Sequence, residues 1–245
     1  MKRLYTTPAL LAVLLLACLT TGSLRAQGRH ELMIGTQFPV QLTAGYQYNA
    51  TDRFAIRGQF GVLTPPYDKV ILKSMEAFGF DKKLSTALDE AFRTGLVGTL
   101  APQLRFGNHS VVLQGQFVHL DGSINLQRAA QLYLERDLPN LSGIPFLPAI
   151  MPTLSTRSNL FMLGLGYGWR LSPPDSRVSL QLEAGFSKIL GSDSKFSSNI
   201  GALDNTALAQ GVYGQMENRL RDSYRQYGYL PSLSVYLVYS IDGGQ

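Results

Sequence analysis

The chain reads as all-β: an eight-stranded antiparallel up-and-down transmembrane β-barrel with helix-containing long loops on one side. Three observations predict it. Oily and polar residues alternate with a period of two in runs of about ten residues, the length a tilted strand needs to cross a bilayer. The links between runs are alternately very short and very long. Aromatic residues gather on the oily parity near the short turns, where an interfacial girdle belongs.

In chain order, the N-terminus comes first. "MKR" is a basic opening, "ALLAVLLLACL" (9–19) is an apolar run of export-signal length, and "SLRAQ" offers cleavage after Ala26. Residues 1–26 are therefore expected to be a signal peptide and 27–245 the barrel domain. "LLAC" also resembles a lipoprotein box with Cys18 as acceptor, an alternative the motif leaves open. Loss of Lys2, Arg3 and Arg25 with the signal takes the net charge from +5 to +2, and no basic stripe points to nucleic acid. Cys18 is the sole cysteine, so a mature chain would draw its stability from something other than disulfides, and barrel closure is one source. No later stretch approaches the roughly 18 continuous apolar residues of a transmembrane helix.

Strand one is expected over "ELMIGTQF" (31–38), because an ascending strand is needed to start the chain on the short-turn side. Leu42, Ala44, Tyr46 and Tyr48 then alternate with Thr43, Gly45, Gln47 and Asn49. "NATDR" turns the chain, and Phe54, Ile56 and Phe60 alternate with Ala55, Arg57 and Gln59. A second hairpin carries Leu100, Leu104 and Phe106 before "GNH" and Val111, Leu113 and Phe117 after it. A third runs through Phe161, Leu163, Leu165, Tyr167 and Trp169, turns at "SPPDS", and returns through Val178, Leu180, Leu182 and Phe186. Leu233, Val235, Leu237 and Tyr239 mark the last strand. The aromatic girdle is read from Tyr48, Phe54, Phe106, Trp169 and Tyr239.

The opposite parity carries Gln, Ser, Thr and Gly with almost no lysine, which suits the crowded lumen of a narrow barrel. Arg57, Arg105, Arg170 and Glu183 share that inward parity, with Arg57 nearest to Glu183 in height. They are expected to form a polar network that plugs the lumen and closes it to ions.

The long loops are expected at about 64–95, 121–157 and 191–230. Helical spacing relates Ile71, Met75 and Phe78, then Leu84, Leu88 and Phe92, in the first. Leu126, Ala130, Tyr133 and Leu134 repeat it in the second. In the third, Leu208, Val212, Met216, Leu220 and Tyr224 follow "DNT", which can cap a helix, and Gly228 is placed to end it. Mutual packing over the barrel mouth and docking on a membrane surface are the two ways such stripes can be buried. In "LSGIPFLPAIMPTL" (141–154) three prolines forbid a regular helix, yet Ile144, Phe146, Leu147, Ile150 and Met151 give it much apolar area. That stretch is a candidate hydrophobic binding surface.

Catalytic signals are sparse. Of His30, His109 and His119, only His119 stands near the outer rim, with Asp121 two residues on. There is no metal-ligand spacing or nucleotide fingerprint, and no cofactor is expected.

The export signal, meander, loop asymmetry and aromatic ends together make residues 28–242 resemble the small bacterial outer-membrane β-barrel superfamily. The chain departs from many of its members by ending in "DGGQ" rather than on an aromatic, although Tyr239 lies close by. The resemblance implies an outer-membrane location and lipid as surroundings. The function expected is a structural or binding role through a helical extracellular cap, engaging an unknown protein or hydrophobic ligand. The alternatives are a small transport pore for hydrophobic compounds and a lipid-modifying enzyme.

Overall fold

The structure, a computed structural model, describes residues 29–64, 67–125, 153–174, 176–199, 204 and 207–241. Its strands are β1 (Arg29–Phe38), β2 (Gln41–Asn49), β3 (Phe54–Leu63), β4 (Phe92–Phe106), β5 (His109–Asn125), β6 (Thr153–Leu171), β7 (Val178–Ser198) and β8 (Tyr229–Ser240). Each pairs antiparallel with its sequence neighbour, and β8 pairs back onto β1 to close the barrel. Closure leaves no free strand edge, which lipid would not tolerate. The expected eight-stranded up-and-down architecture is the one observed. Strand β1, inferred from topology alone, joins β2 through Pro39 and Val40, and the Val40 N–H donates to the Gln37 carbonyl at 2.6 Å.

Side-chain direction follows the predicted parity. Leu113, Leu165 and Val235 are exposed on the outer wall, while Gln59, Gln114, Glu183 and Ser234 are buried inside. Leu182 pairs with outward-facing Trp169 and is half-buried. Exposed Leu32, Ile34, Phe60, Leu100, Phe161 and Leu233 continue the outer belt around the barrel. An apolar belt that encircles the molecule requires lipid around it, since water would drive such surfaces together.

The strands outrun their expected limits at one end. β5 and β7 extend to Asn125 and Ser198, β6 begins at Thr153, and β4 begins at Phe92, inside segments read as loop. Above the belt the outward positions turn polar (Asp121, Ser123, Ser155, Arg157, Asp193, Lys195), and so do inward Thr156, Ser158 and Ser194. The two-residue alternation therefore fades while backbone pairing continues. Phe92, read as part of a helical stripe, opens β4 instead.

Among the described residues three helices, α1 (Tyr67–Ala77), α2 (Lys82–Ala91) and α3 (Ala207–Tyr227), lie in the connections at this same end. Their stripes enter the barrel mouth. Met75, Leu84, Leu88, Met216, Leu220 and Tyr224 join Leu63, Val97, Val118, Leu160 and Ile189 of the wall in one buried cluster. At about 1.5–3 kcal/mol for each large apolar side chain fully buried, this burial holds the cap on. Arg219 adds an ion pair to Asp81 at 3.0 Å, and Phe80 stacks on Tyr224 with ring centroids 6.0 Å apart. Gly79, at φ +100°, lets the chain leave α1 in a left-handed turn that a side chain would strain. Gly228 ends α3 as expected. A Cβ there would come within 2.8 Å of the Ile189 side chain, so a glycine is needed where the helix meets the wall. The second-loop stripe (Leu126, Ala130, Tyr133, Leu134) and the apolar residues Ile144, Phe146, Leu147, Ile150 and Met151 lie outside the described residues.

Candidate functional site

The lumen changes chemistry with height, because each inward position along a strand occupies one level. At the short-turn end Glu31 from β1 is buried among donors. Arg170 grips it with both terminal nitrogens, Nη1 to Oε2 at 3.0 Å and Nη2 to Oε1 at 2.9 Å. Gln47 Nε2 donates to Oε2 at 2.5 Å, and Arg105 Nη2 reaches the same oxygen at 3.4 Å. Around this group the mouth widens into a polar recess of about 340 Å³.

One level higher, Arg57 and Glu183 form a bidentate pair at 2.6 and 2.8 Å, both fully enclosed. Gln181 Nε2 also donates to Glu183, at 2.6 Å, and the Arg57 guanidinium lies over the Tyr236 ring, 4.9 Å from its centre. Enclosing two charges is costly unless they meet each other and other donors, and here both conditions hold. A ladder of amides completes the barrier. Gln37 Nε2 donates to Gln114 Oε1 at 2.8 Å, Gln116 Nε2 to Gln37 Oε1 at 2.8 Å, and Gln41 Nε2 to Gln37 Oε1 at 3.0 Å and Thr99 Oγ1 at 3.1 Å.

Above the amides the lining becomes apolar. Leu63, Val118, Leu160, Met162, Ile189 and Leu230 of the wall face Ile71, Met75, Leu88 and Tyr224 of the helices across a cavity of about 50 Å³. Asp68 is the one carboxylate on that lining among the described residues. Burial pushes the Tyr224 hydroxyl well above its ordinary pKa, so it stays neutral at the chamber wall.

The four sequence-predicted lumen charges thus separate into two groups. Arg57 and Glu183 meet at mid-height, whereas Arg105 and Arg170 converge on Glu31, which sequence reasoning had not singled out. The signal was present: Glu31 shares the inward parity of Met33 and Gln37, but it stands at the very start of the least distinct strand. The glutamines share the polar parity, but nothing in a linear pattern shows that residues from four strands form one ladder.

His119 stands on the outer wall above the lipid belt. Its Nδ1 meets Asn159 Oδ1 at 2.6 Å and its Nε2 meets Asp121 Oδ2 at 3.0 Å, while Arg157 Nε donates to Asp121 Oδ1 at 2.9 Å. Both ring nitrogens are engaged, and no serine is bonded to the ring among the described residues. The arrangement braces β5 against β6. Nor do the described residues contain a cluster of three His, Cys, Asp or Glu side chains able to hold a metal ion.

No protein-family model matches the chain, and no curated protein sequence matches it. Its fold is similar to several solved structures, three of them as follows. One is a major outer membrane protein from Thermus thermophilus, 12% identical, with 88% of this chain and 100% of that one covered at a TM-score of 0.47. The others are CarO and CarO2 of Acinetobacter baumannii, each 10% identical at a TM-score of 0.36. CarO covers 86% of this chain and 96% of its own, and CarO2 covers 87% and 97%.

Proposed function

We propose that the protein is an integral outer-membrane β-barrel, sealed to ions by its polar plug, that binds the apolar tail of a small ligand in the chamber under its cap. In this reading the helices face the cell exterior and the short turns face the periplasm, as the loop asymmetry favours. The observation that carries it is the apolar chamber itself, held above enclosed Arg57 and Glu183. A dry cavity of about 150 Å³ is known to take a benzene-sized guest, so about 50 Å³ suits the end of one alkyl chain rather than a ring system. Asp68 on the lining favours an amine or other donor at the head of that chain.

The test uses the full-length mature protein in nanodiscs with n-octylamine and octanoate competing against an environment-sensitive apolar dye. Octylamine is expected to displace the dye at lower concentration than octanoate. Val118→Phe, which fills the chamber, is expected to weaken dye binding at least tenfold, and Asp68→Asn to erase the preference between heads. Dye binding unchanged by Val118→Phe would defeat the reading. The second reading, a small transport pore, draws support from recesses at both ends of the lumen with only the plug between them. Stable single-channel steps in planar bilayers would establish the pore instead.

A further inference from the structure

We propose that the short-turn mouth of the barrel is a binding site for a single oxyanion, a carboxylate or a phosphate, with Arg105 as its principal ligand. Donors at this mouth outnumber the lone pairs they meet, and the site is independent of the chamber at the other end.

An ionised carboxylate offers about four lone-pair positions. Five donors converge on Glu31: two from Arg170, one from Gln47, one from Arg105 at 3.4 Å, and the Ser240 hydroxyl, also at 3.4 Å. Arg170 alone makes the bidentate pair that neutralises the carboxylate. Arg105 is therefore a surplus cation, held by one long contact and with no other side-chain partner among the described residues.

The surplus faces open volume. The polar recess of about 340 Å³ is lined by Arg105, Arg170 and Arg177 against Glu31 and Asp52, so among the described residues the cations outnumber the anions. Two guanidinium groups drawn to one oxygen repel each other, and a second anion would relieve that repulsion while using the planar fork Arg105 has left. Ser179 supplies a further donor. Its side chain is buried on the recess lining, and its hydroxyl has no partner among the described residues. Glu31, itself 3% exposed, anchors the pair of arginines so that the site is preformed rather than assembled on binding.

The experiment takes the mature protein in a nonionic detergent and titrates inorganic phosphate and acetate at constant ionic strength, read by calorimetry and by thermal unfolding. A peptide with a free C-terminus and its amidated twin form the second arm, separating a free ion from a carboxylate borne on a chain. Saturable binding is expected for phosphate or for the free-ended peptide. It is expected to weaken at least tenfold in Arg105→Gln, to survive in Arg53→Gln, a change at an exposed arginine in the β2–β3 turn that does not line the recess, and to be partly restored in Arg105→Lys. Arg105→Gln leaves the Arg170 pair intact, so heat-modifiable mobility on a gel is expected to stay native and to certify the fold. No saturation with any of these probes, or equal binding by Arg105→Gln, would overturn the proposal.

Discussion

The lower and upper lumen share one barrel, one strand parity and one degree of enclosure, yet they are filled in opposite ways. Below, Arg57, Glu183 and the glutamines meet charge with charge and amide with amide. Above, Leu63, Val118, Leu160 and Ile189 exclude polar groups and wait for helices to cover them. Facing inward specifies burial and nothing more. A buried polar level is held by the strands' own side chains, while a buried apolar level needs a cap.

The two levels should therefore break differently. The largest effect is expected below. Arg57→Met leaves Glu183 enclosed without its partner and should cost about 3–5 kcal/mol, measured by denaturant unfolding from lipid vesicles. The double change Arg57→Met with Glu183→Leu should recover most of that loss. If the double variant is as unstable as the single one, the plug is not an ion-pair device.

Above, Leu220→Ala should cost about 2–5 kcal/mol, but within the cap. Protease should cut near α3 while the barrel keeps its native gel mobility; collapse of both together would mean the cap and barrel are one cooperative unit. Outside the lumen the contrast should vanish. Leu165→Arg, on the lipid belt, should cost about 2–4 kcal/mol near mid-membrane, and a bromolipid should quench a probe at 165 but not at 166.

The smallest effect concerns pH. The Ser198 backbone N–H donates to Asp204 at 2.8 Å, and this bond, with the Tyr213 hydroxyl at 3.0 Å, holds the Asp204 carboxyl below its ordinary pKa. A depressed carboxyl contributes stability above its unfolded value and loses it as pH falls through its folded value. Protection of the Ser198 amide from hydrogen exchange, taken relative to the intrinsic rate at each pH, should therefore fall below about pH 4, the ordinary aspartate range, and Asp204→Asn should flatten that response. A response that persists in the variant would move the titration elsewhere.

Legibility tracked periodicity. Leu113, Leu165 and Val235 announced the outer wall because lipid demands an apolar residue at every second position. Met216, Leu220 and Tyr224 announced a buried helix face by the same logic at helical spacing. Where both faces of a strand turn polar, as around Arg157 and Ser158, the pattern carried no period and the strand read as loop.

The barrel, its strand number, its inner and outer faces and the side on which the helices lie are all legible in the residue order. Those follow from local alternation and link length, which any stretch of chain displays without knowing its neighbours. That Arg57 meets Glu183 while Arg105 is left over at Glu31, and that an apolar chamber closes above the glutamines, emerges only in the folded barrel. Arg57 and Glu183 stand 126 positions apart in the chain, and Arg170 grips Glu31 across 139. Their partners are chosen by the stagger of strands around a closed barrel, a property of the whole circle that no single strand carries.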